Sequence, residues 1–332
     1  SQSQISTLDL SNNTALISLN TQDILTLTSL DVSNNTALTD LGCWNNSLAT
    51  LNVNGASSLT YLHCNNNQLT NLDVSNNTAL TSLICYSNQL TSLDLSANTD
   101  LTYLHSDGNP LTSLDVSANT SLTSLSCNNN QLTNLDVSNN TALTGLWCDS
   151  NQLINMDLSA NTALTNLNCQ GNQLTSLDVS ANTALTYLKC YNNQLTSLNV
   201  SNNTALTSLS CQDNQLTSLD VSSNTALSSF ECTSNQITAL DVSNNTELSW
   251  FKCGDNQLTS LDVSSNPNLN FFVCSHNQLT YLNMKNGLTD QLTNFYATGN
   301  SSLTCIETLD PDYATENWTN IDEGVTFDVI CG

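Results

Sequence analysis

The sequence predicts a solenoid of stacked parallel β coils, and three observations lead to it. Twelve leucines recur at a constant interval along the chain: Leu38, Leu59, Leu80, Leu101, Leu122, Leu143, Leu164, Leu185, Leu206, Leu227, Leu248 and Leu269. Within each repeat, apolar and polar residues alternate with the period of two that is typical of strands. Asparagine recurs at two fixed places in the repeat. We therefore expect each repeat to form one coil that contacts only its neighbours.

The first half of the repeat has the pattern L-T-x-L-x-C, as in Leu122 to Cys127. If its first leucine is position 1, Leu at position 4 and Cys at position 6 point inward, and positions 3, 5 and 7 point outward. The second half, L-x-x-L-D-V-S-x-N, repeats this alternation. We predict right-handed parallel coils, about 13 in number and about 4.8 Å apart, which are strand-like on both arcs. Two arcs of similar rise should give weak curvature.

The repeat also divides the chain. We predict an irregular N-terminal part over residues 1–37, a regular array over 38–291, and a last repeat with a cap over 292–332. One extra residue lies between Leu16 and Leu38, and two extra residues lie around Lys285 to Asp290.

Two asparagine columns mark the bends of each coil. The first runs through Asn46, Asn67, Asn88 and onward, and the second through Asn77, Asn98, Asn119 and onward. An inward amide can pair with backbone groups that a bend leaves buried. The N-x-T sequences at these places are thus interpreted as turn chemistry, with glycosylation as the alternative.

The full repeat, L-T-x-L-x-C-x-x-N-Q-L-T-x-L-D-V-S-x-N-T-A, resembles the leucine-rich-repeat family over roughly residues 5–300. It is most similar to the bacterial subclass with 21-residue repeats. The resemblance implies a secreted or cell-surface binding protein. The segment from Cys305 to Gly332 looks like the C-terminal cap of secreted members.

Eleven of the 13 cysteines occupy position 6 of the repeat, and Ser106 replaces cysteine once. We expect free thiols there, because neighbouring Cβ atoms at the coil spacing lie farther apart than in a disulfide. One inward thiol per repeat also cannot supply a tetrahedral zinc set. Cys305 and Cys331 lie outside the column, and we predict a disulfide between them that closes the open end of the solenoid, with two free thiols as the alternative.

The charge balance excludes some partners. Three lysines and no arginine against 28 acidic residues give a formal charge of −25, which repels nucleic acid and anionic membranes. No apolar run is long enough for a membrane helix. The chain opens with Ser1-Gln2-Ser3-Gln4, so we expect a secretion leader to have been removed or left out.

Most of the distinctive side chains fall at positions 3, 5 and 7, on what we call the Cys-strand face. We predict a ligand-binding face formed by Trp44, Tyr61, His63, Tyr86, Tyr103, His105, Trp147, Tyr187, Lys189, Tyr191, Trp250, Lys252 and Phe271, with Tyr296 beyond them. Aromatic residues are enriched at binding hot spots. The alternative is that they only stabilise neighbouring coils. Four phenylalanines at position 4, namely Phe230, Phe251, Phe272 and Phe295, are expected in the core.

The second arc carries a column of aspartates, which we call the Asp column: Asp73, Asp94, Asp115, Asp136, Asp157, Asp178, Asp220, Asp241 and Asp262. We predict that each carboxylate bonds to the backbone at the following turn. Ca²⁺ between coils is the alternative, although the flat column offers few of the six to eight oxygens required. No other cofactor or metal is expected.

The sequence offers no catalytic constellation, because it shows neither a nucleophile beside a base nor paired carboxylates in a cleft. His63 and His105 stand two coils apart, too far to share a metal. We therefore predict a non-enzymatic module for protein recognition or adhesion. Carbohydrate binding on the same face and a purely structural spacer remain as alternatives.

Overall fold

The computed structural model describes residues 5–287 and 289–332 of the chain. They form about 15 turns of a parallel β-solenoid with a leucine-rich-repeat core. The turns exceed the expected 13 because the irregular end segments also form coils. Backbone contacts divide the chain into two compact units, Ser1–Leu164 and Thr165–Gly332. The predicted three-part division at residues 37 and 291 stays a prediction.

The described part of the first unit contains nine short strands. They are β1 (Ser18–Asn20), β2 (Ser29–Asp31), β3 (Asp40–Gly42), β4 (Thr50–Asn52), β5 (Tyr61–His63), β6 (Ser82–Ile84), β7 (Tyr103–His105), β8 (Ser124–Ser126) and β9 (Gly145–Trp147). On the first arc, β3 and β5 to β9 pair in parallel at a constant step of one repeat, so that Leu41 faces Leu62. Between β1 and β3, Leu19 faces Leu41, and this longer step absorbs the extra residue.

The second unit has the strands β10 (Asn166–Asn168), β11 (Tyr187–Lys189), β12 (Ser208–Ser210), β13 (Ser229–Glu231), β14 (Trp250–Lys252), β15 (Ser260–Asp262), β16 (Phe271–Val273), β17 (Tyr281–Asn283), β18 (Asn294–Tyr296), β19 (Cys305–Glu307) and β20 (Thr326–Asp328). It also has helix α1 (Pro311–Asn317) and a 3₁₀ turn, Thr289–Gln291. On the first arc, β10 to β14, β16 and β18 pair in parallel. Phe271 faces Asn294, and this longer step accommodates the two extra residues.

The second arc keeps the predicted alternation but forms strand ladders in only part of its length. Leu72 and Val74 are buried and Asp73 and Ser75 are exposed, as expected for a strand. Ladders occur between β2 and β4 in the first unit and among β15, β17, β19 and β20 in the second. In the repeats between them, this arc is extended without a ladder, apart from one bridge, Asp178 with Asn199.

The core is a stack of leucines and cysteines, most of which are completely shielded from solvent. In the second unit, the four phenylalanines at position 4 are buried, as predicted. Their rings follow one another with centroids 5.4, 5.4 and 5.8 Å apart. The last of them, Phe295, contacts Trp318 of the cap at 4.9 Å, and Trp318 contacts Phe327 at 5.8 Å. An aromatic column thus continues the core into the cap.

Both asparagine columns have the predicted role. In the first column, Asn88 donates to the carbonyls of Cys64 and Cys85, both at 3.1 Å, and accepts a bond from the amide of Leu69 at 3.0 Å. In the second column, Asn98 donates to the carbonyls of Val74 and Asn77 at 3.1 and 2.9 Å. The buried amides thus pair the backbone groups of one coil with those of its neighbour.

The C-terminal cap is closed by the predicted disulfide between Cys305 and Cys331. Helix α1 begins after Asp310, whose side chain accepts a hydrogen bond from the amide of Tyr313, and has Pro311 in its first turn. Glu307 accepts bonds from the Tyr281 hydroxyl and the Cys331 amide and pairs with Lys285. Among the described residues, no helix is long and apolar enough to span a bilayer.

Candidate functional site

In each of the two units, the structure places the predicted ligand-binding residues on the outward side of the first-arc strands, and they do not form one cluster. Because the strands are short and in register, each outward side chain lies beside its equivalents on the neighbouring coils. Most of these rings are half-buried by such neighbours, whereas Tyr103, Trp250 and Tyr296 are exposed to 38%, 37% and 36%.

One group lies at the start of the first unit. The indole of Trp44 stacks on the imidazole of His63 with ring centroids 4.2 Å apart, and the Tyr61 hydroxyl lies 3.3 Å from His63 Nδ1. Burial lowers the pKa of His63 and raises that of Tyr61, so both are neutral at pH 7. Tyr86 packs on His105 at 4.5 Å. The two histidines are therefore held by aromatic rings.

Two tryptophans of this unit lie over glycines. A Cβ atom added to Gly42 would come 2.4 Å from the indole of Trp44, and one added to Gly145 would come 2.4 Å from that of Trp147. Such distances are far shorter than van der Waals contact, so only glycine allows either indole to occupy this place. The two glycines thus determine how the tryptophans are presented on the surface.

A shallow hollow, open to solvent, lies on the Cys-strand face between Tyr103 and Trp147. Its further lining residues are His105, Asp107, Ser124, Ser126 and Asn128. We call it the Tyr103–Trp147 hollow. The strand between the two aromatic side chains is β8, which has only serine at its outward positions. The hollow therefore exists because a coil with short side chains separates two coils with large ones.

Asp107 is the centre of a hydrogen-bond network in this hollow. Its Oδ1 accepts bonds from the Ser126 hydroxyl at 2.7 Å and from the backbone amide of Asn128 at 2.9 Å. Its Oδ2 lies 2.9 Å from His105 Nε2 and accepts a bond from the Asn128 side chain at 3.2 Å. The carboxylate is thus fixed in place, and its four lone-pair positions have partners.

In the second unit, lysine lies against aromatic rings. Lys189 Nζ is 5.3 Å from the ring centroid of Tyr187, and Tyr191 lies half-buried two residues farther along the chain. Trp147, another residue of the predicted ligand-binding face, belongs to the first unit. The residues of the predicted ligand-binding face therefore belong to both units.

Trp250 and Phe271 form an aromatic platform in the second unit. Their rings stack with centroids 3.8 Å apart, and Tyr296 follows at 6.2 Å from Phe271. Lys252 Nζ lies 5.0 Å from the Trp250 ring, 5.6 Å from the Phe271 ring and 3.4 Å from a carboxylate oxygen of Glu231. The ammonium group is therefore surrounded by two aromatic rings and one carboxylate.

The Asp column bonds to the following turn, as predicted. Asp73 Oδ1 accepts bonds from the amide of Ser75 at 3.0 Å and from its hydroxyl at 2.6 Å. These bonds from Ser75 lower the pKa of Asp73. Asn199 accepts the same amide bond, from Ser201 at 3.0 Å, where the column lacks aspartate. Within residues 5–287 and 289–332, no group of three or more acidic, histidine or cysteine side chains is arranged to hold a metal ion.

The eleven cysteines at position 6 are buried thiols that form no disulfide, as predicted: Cys43, Cys64, Cys85, Cys127, Cys148, Cys169, Cys190, Cys211, Cys232, Cys253 and Cys274. Burial raises the pKa of the Cys43 thiol to about 12. Thiolates, which are the reactive form, are therefore suppressed along the ladder.

Several residues that shape this face were not expected from the sequence. Asp107 and Glu231 were not singled out, although both stand at outward positions of the first arc. Gly42 and Gly145 were also missed. A glycine two residues before an outward tryptophan was the available signal, since residues i and i+2 of a strand point to the same side.

Comparison with solved structures supports this assignment of the fold. No protein-family model and no curated protein matches the chain. The functional domain of InlJ from Listeria monocytogenes, which includes a cysteine ladder, is 38% identical, with a TM-score of 0.76 over 89% of this chain and 68% of that one.

Two further structures show how widely the fold is shared. The leucine-rich effector YopM from Yersinia pestis is 26% identical, with a TM-score of 0.69 over 88% of this chain and 79% of that one. The leucine-rich-repeat protein LIC12759 of Leptospira interrogans is 22% identical, with a TM-score of 0.63 over 98% and 95%. By its repeat, its thiol ladder and its identity to InlJ, the chain belongs to the bacterial leucine-rich-repeat proteins with 21-residue repeats.

Proposed function

We propose that the chain is a non-enzymatic recognition module that binds a protein partner through the Cys-strand face. The observation that supports this most is the stacked pair of Trp250 and Phe271, with rings 3.8 Å apart on the outside of the solenoid. Stacked rings present a large and rigid contact area at a low entropic cost, and such residues are enriched at binding hot spots.

The contrast between the two arcs supports the choice of face. Along the second arc, the exposed positions repeat the same aspartate and serine, and these pair with each other within one turn. A surface that repeats itself offers little to distinguish one partner from another. The outward positions of the first arc change from coil to coil, whereas the buried leucines at position 1 do not. Sequence-dependent recognition is therefore better suited to the first arc.

We place the protein outside the cell as part of the same proposal. The Cys305–Cys331 disulfide is of a kind that persists in oxidising compartments. The eleven other thiols are compatible with such a compartment, because burial protects them from oxidation and from disulfide exchange.

The test compares two sets of substitutions that remove exposed apolar surface from opposite arcs. The face variant carries Trp250→Ser and Phe271→Ser. The control variant carries Ile154→Ser on the second arc, where Ile154 is 56% exposed. Peptides are selected from a random phage-display library on the unmodified protein, and their dissociation constants are measured for all three proteins.

We expect the face variant to bind most of the selected peptides at least tenfold more weakly than the unmodified protein does. The control variant should bind them with unchanged affinity. Equal affinities for all three proteins would refute the choice of face. Melting temperatures verify that both variants are folded.

Carbohydrate binding is the second candidate, because the flat Trp250–Phe271 pair is also suited to stack on a sugar ring. A glycan array separates the two. A polysaccharide that binds the protein and not the face variant would favour carbohydrate, and peptide binding without any glycan signal would favour protein. A purely structural spacer predicts no ligand in either assay.

A further inference from the structure

We infer that the Tyr103–Trp147 hollow accepts a basic side chain, lysine or arginine, of the protein partner. This inference rests on the proposed function and specifies the chemistry of one contact within it. Four observations support it. They are the shape of the hollow, its charge, the hydrogen bonds that its polar groups already make, and a similar arrangement around Lys252.

The shape suits one long, narrow side chain. Tyr103 and Trp147 stand on β7 and β9, and only β8 lies between them. Two strand spacings are about 10 Å, so a long side chain has room to lie over β8 between the coils that carry Tyr103 and Trp147. Ser124 and Ser126 on β8 keep the floor low. Aromatic side chains thus line the hollow on both sides, and cations interact favourably with aromatic rings.

The charge favours a cation strongly. Asp107 lies on the floor of the hollow. No lysine or arginine precedes Lys189, and every formally charged side chain before it is an aspartate. The carboxylates of the first unit therefore have no lysine or arginine of their own unit to neutralise them. A basic group of a partner is drawn to this unit by its overall field and to the hollow by Asp107.

The hydrogen bonds of the floor disfavour a sugar. Ser126, Asn128 and His105 already occupy the lone-pair positions of Asp107. Sugar recognition depends on directed bonds to several hydroxyl groups, and these polar groups are engaged with one another. A cation over an aromatic ring needs fewer directed bonds, because the ring face and the fixed carboxylate attract it through their fields.

In the second unit, a similar combination of aromatic rings and a carboxylate is occupied by a lysine of the chain itself. There, Lys252 lies 3.4 Å from the Glu231 carboxylate and 5.0 Å from the Trp250 ring centroid. Aromatic side chains and one carboxylate at outward positions therefore hold an ammonium group in this fold. The Tyr103–Trp147 hollow has the aromatic side chains and the carboxylate, and no lysine is among its lining residues.

The experiment titrates the isotopically labelled full chain with blocked amino acids and follows the indole N–H signals by NMR. The probes are N-acetyl-lysine methylamide and its arginine equivalent, with the norleucine equivalent as the uncharged control and N-acetylglucosamine as the sugar. Loss of one signal in Trp147→Phe assigns Trp147. We expect a saturable shift of that signal with the two basic probes and none with the other two.

Two variants and a matched control test the assignment. Asp107→Asn should lower the affinity for the basic probes by about fivefold or more, because it removes an opposite charge close to the bound cation. Asp115→Asn removes the same charge from the Asp column, where Asn199 already replaces aspartate, and should leave binding unchanged. Gly145→Ala keeps Asp107 but displaces the Trp147 indole and should also abolish the shift. Melting curves confirm folding of each variant.

Three results would overturn the inference: no Trp147 shift with the basic probes, an equal shift with norleucine, or a shift with the sugar alone. Failure of the proposed function has a different signature. In that case, selected peptides bind the Trp250 and Phe271 face variant as well as the unmodified protein, whatever the probes do at Trp147. If the Trp147 signal does not shift with the basic probes, but the selected peptides require Trp250 and Phe271 for binding, only the inference about the hollow is refuted.

Discussion

The two asparagine columns predict unequal costs for the same substitution. Asn88 of the first column accepts a bond from the buried Leu69 amide and donates to two carbonyls of successive coils. Asn88→Ala leaves the Leu69 N–H without a partner in the core, which costs about 1–3 kcal/mol, and removes two donated bonds worth about 1 kcal/mol each. We therefore expect Asn88→Ala to lower the free energy of unfolding by about 3–5 kcal/mol.

Asn98 of the second column is the matched control. It donates to the carbonyls of Val74 and Asn77, and its own side-chain oxygen has no hydrogen-bond partner. Both carbonyls keep a second bond, from the amides of Asn77 and Leu80 respectively. Asn98→Ala thus leaves no orphaned group and removes one unpaired acceptor. The expected loss is only about 1–2 kcal/mol.

The measurement is the denaturant midpoint of each variant, combined with hydrogen exchange of the Leu69 amide. We expect the lower midpoint and the faster Leu69 exchange in Asn88→Ala alone. If burial alone determined the cost, Asn98→Ala would lose more stability than Asn88→Ala, since Asn98 is fully buried and Asn88 is 8% exposed. Equal midpoints, or a larger loss of stability for Asn98→Ala, would therefore refute the conclusion that the unpaired Leu69 amide causes most of the loss in Asn88→Ala.

Four further predictions follow from the cap, the thiols and the Asp column. Replacing Cys305 and Cys331 by alanine opens a loop of 26 residues and should cost about 3 kcal/mol in the stability of the C-terminal coils, measured by hydrogen exchange in β19 and β20. A thiol reagent should modify none of the eleven ladder cysteines until the protein unfolds, and rapid reaction of the native protein would contradict their shielding. The lowered pKa of Asp73 gives stability that is present above the unfolded value and is lost as the pH falls through the folded value; an NMR titration of Ser75→Ala should show that pKa return toward normal. A chelator should leave the melting temperature unchanged, and a decrease would indicate Ca²⁺ at the Asp column.

The sequence predicted the interior of this protein better than its surface. Inward positions follow an alternation of period two, and most of them meet an identical neighbour one repeat away. Leu62 thus pairs with Leu83, and Cys64 lies beside Cys85 in the core. The same logic placed the asparagine columns and the carboxylate bonds of Asp73. Strand ladders on the second arc were less predictable, because alternation determines which side chains are buried but does not determine which backbone groups pair across coils.

The arrangement of the outward side chains could not be predicted from the sequence, because it depends on pairs of residues in different coils. Trp250 and Phe271 lie on successive coils, and neither one alone predicts a stacked platform. Asp107 and Ser126 likewise belong to different coils and form the floor of the hollow together. Side-chain directions add a second uncertainty, since one outward position can hold a ring that lies flat or one that stands upright.

Gly145 shows how the surface can evolve independently of the core. The residues that hold the coils together are buried leucines, cysteines and asparagines, whereas Gly145 acts by letting Trp147 lie across it. An alanine there would displace the indole without changing a leucine, an asparagine or a thiol of the core. If recognition depends on this face, then binding should respond to such substitutions far more than stability does. A scaffold with this separation can acquire new partners through outward positions alone, and this independence is the physical reason why we propose recognition on the Cys-strand face.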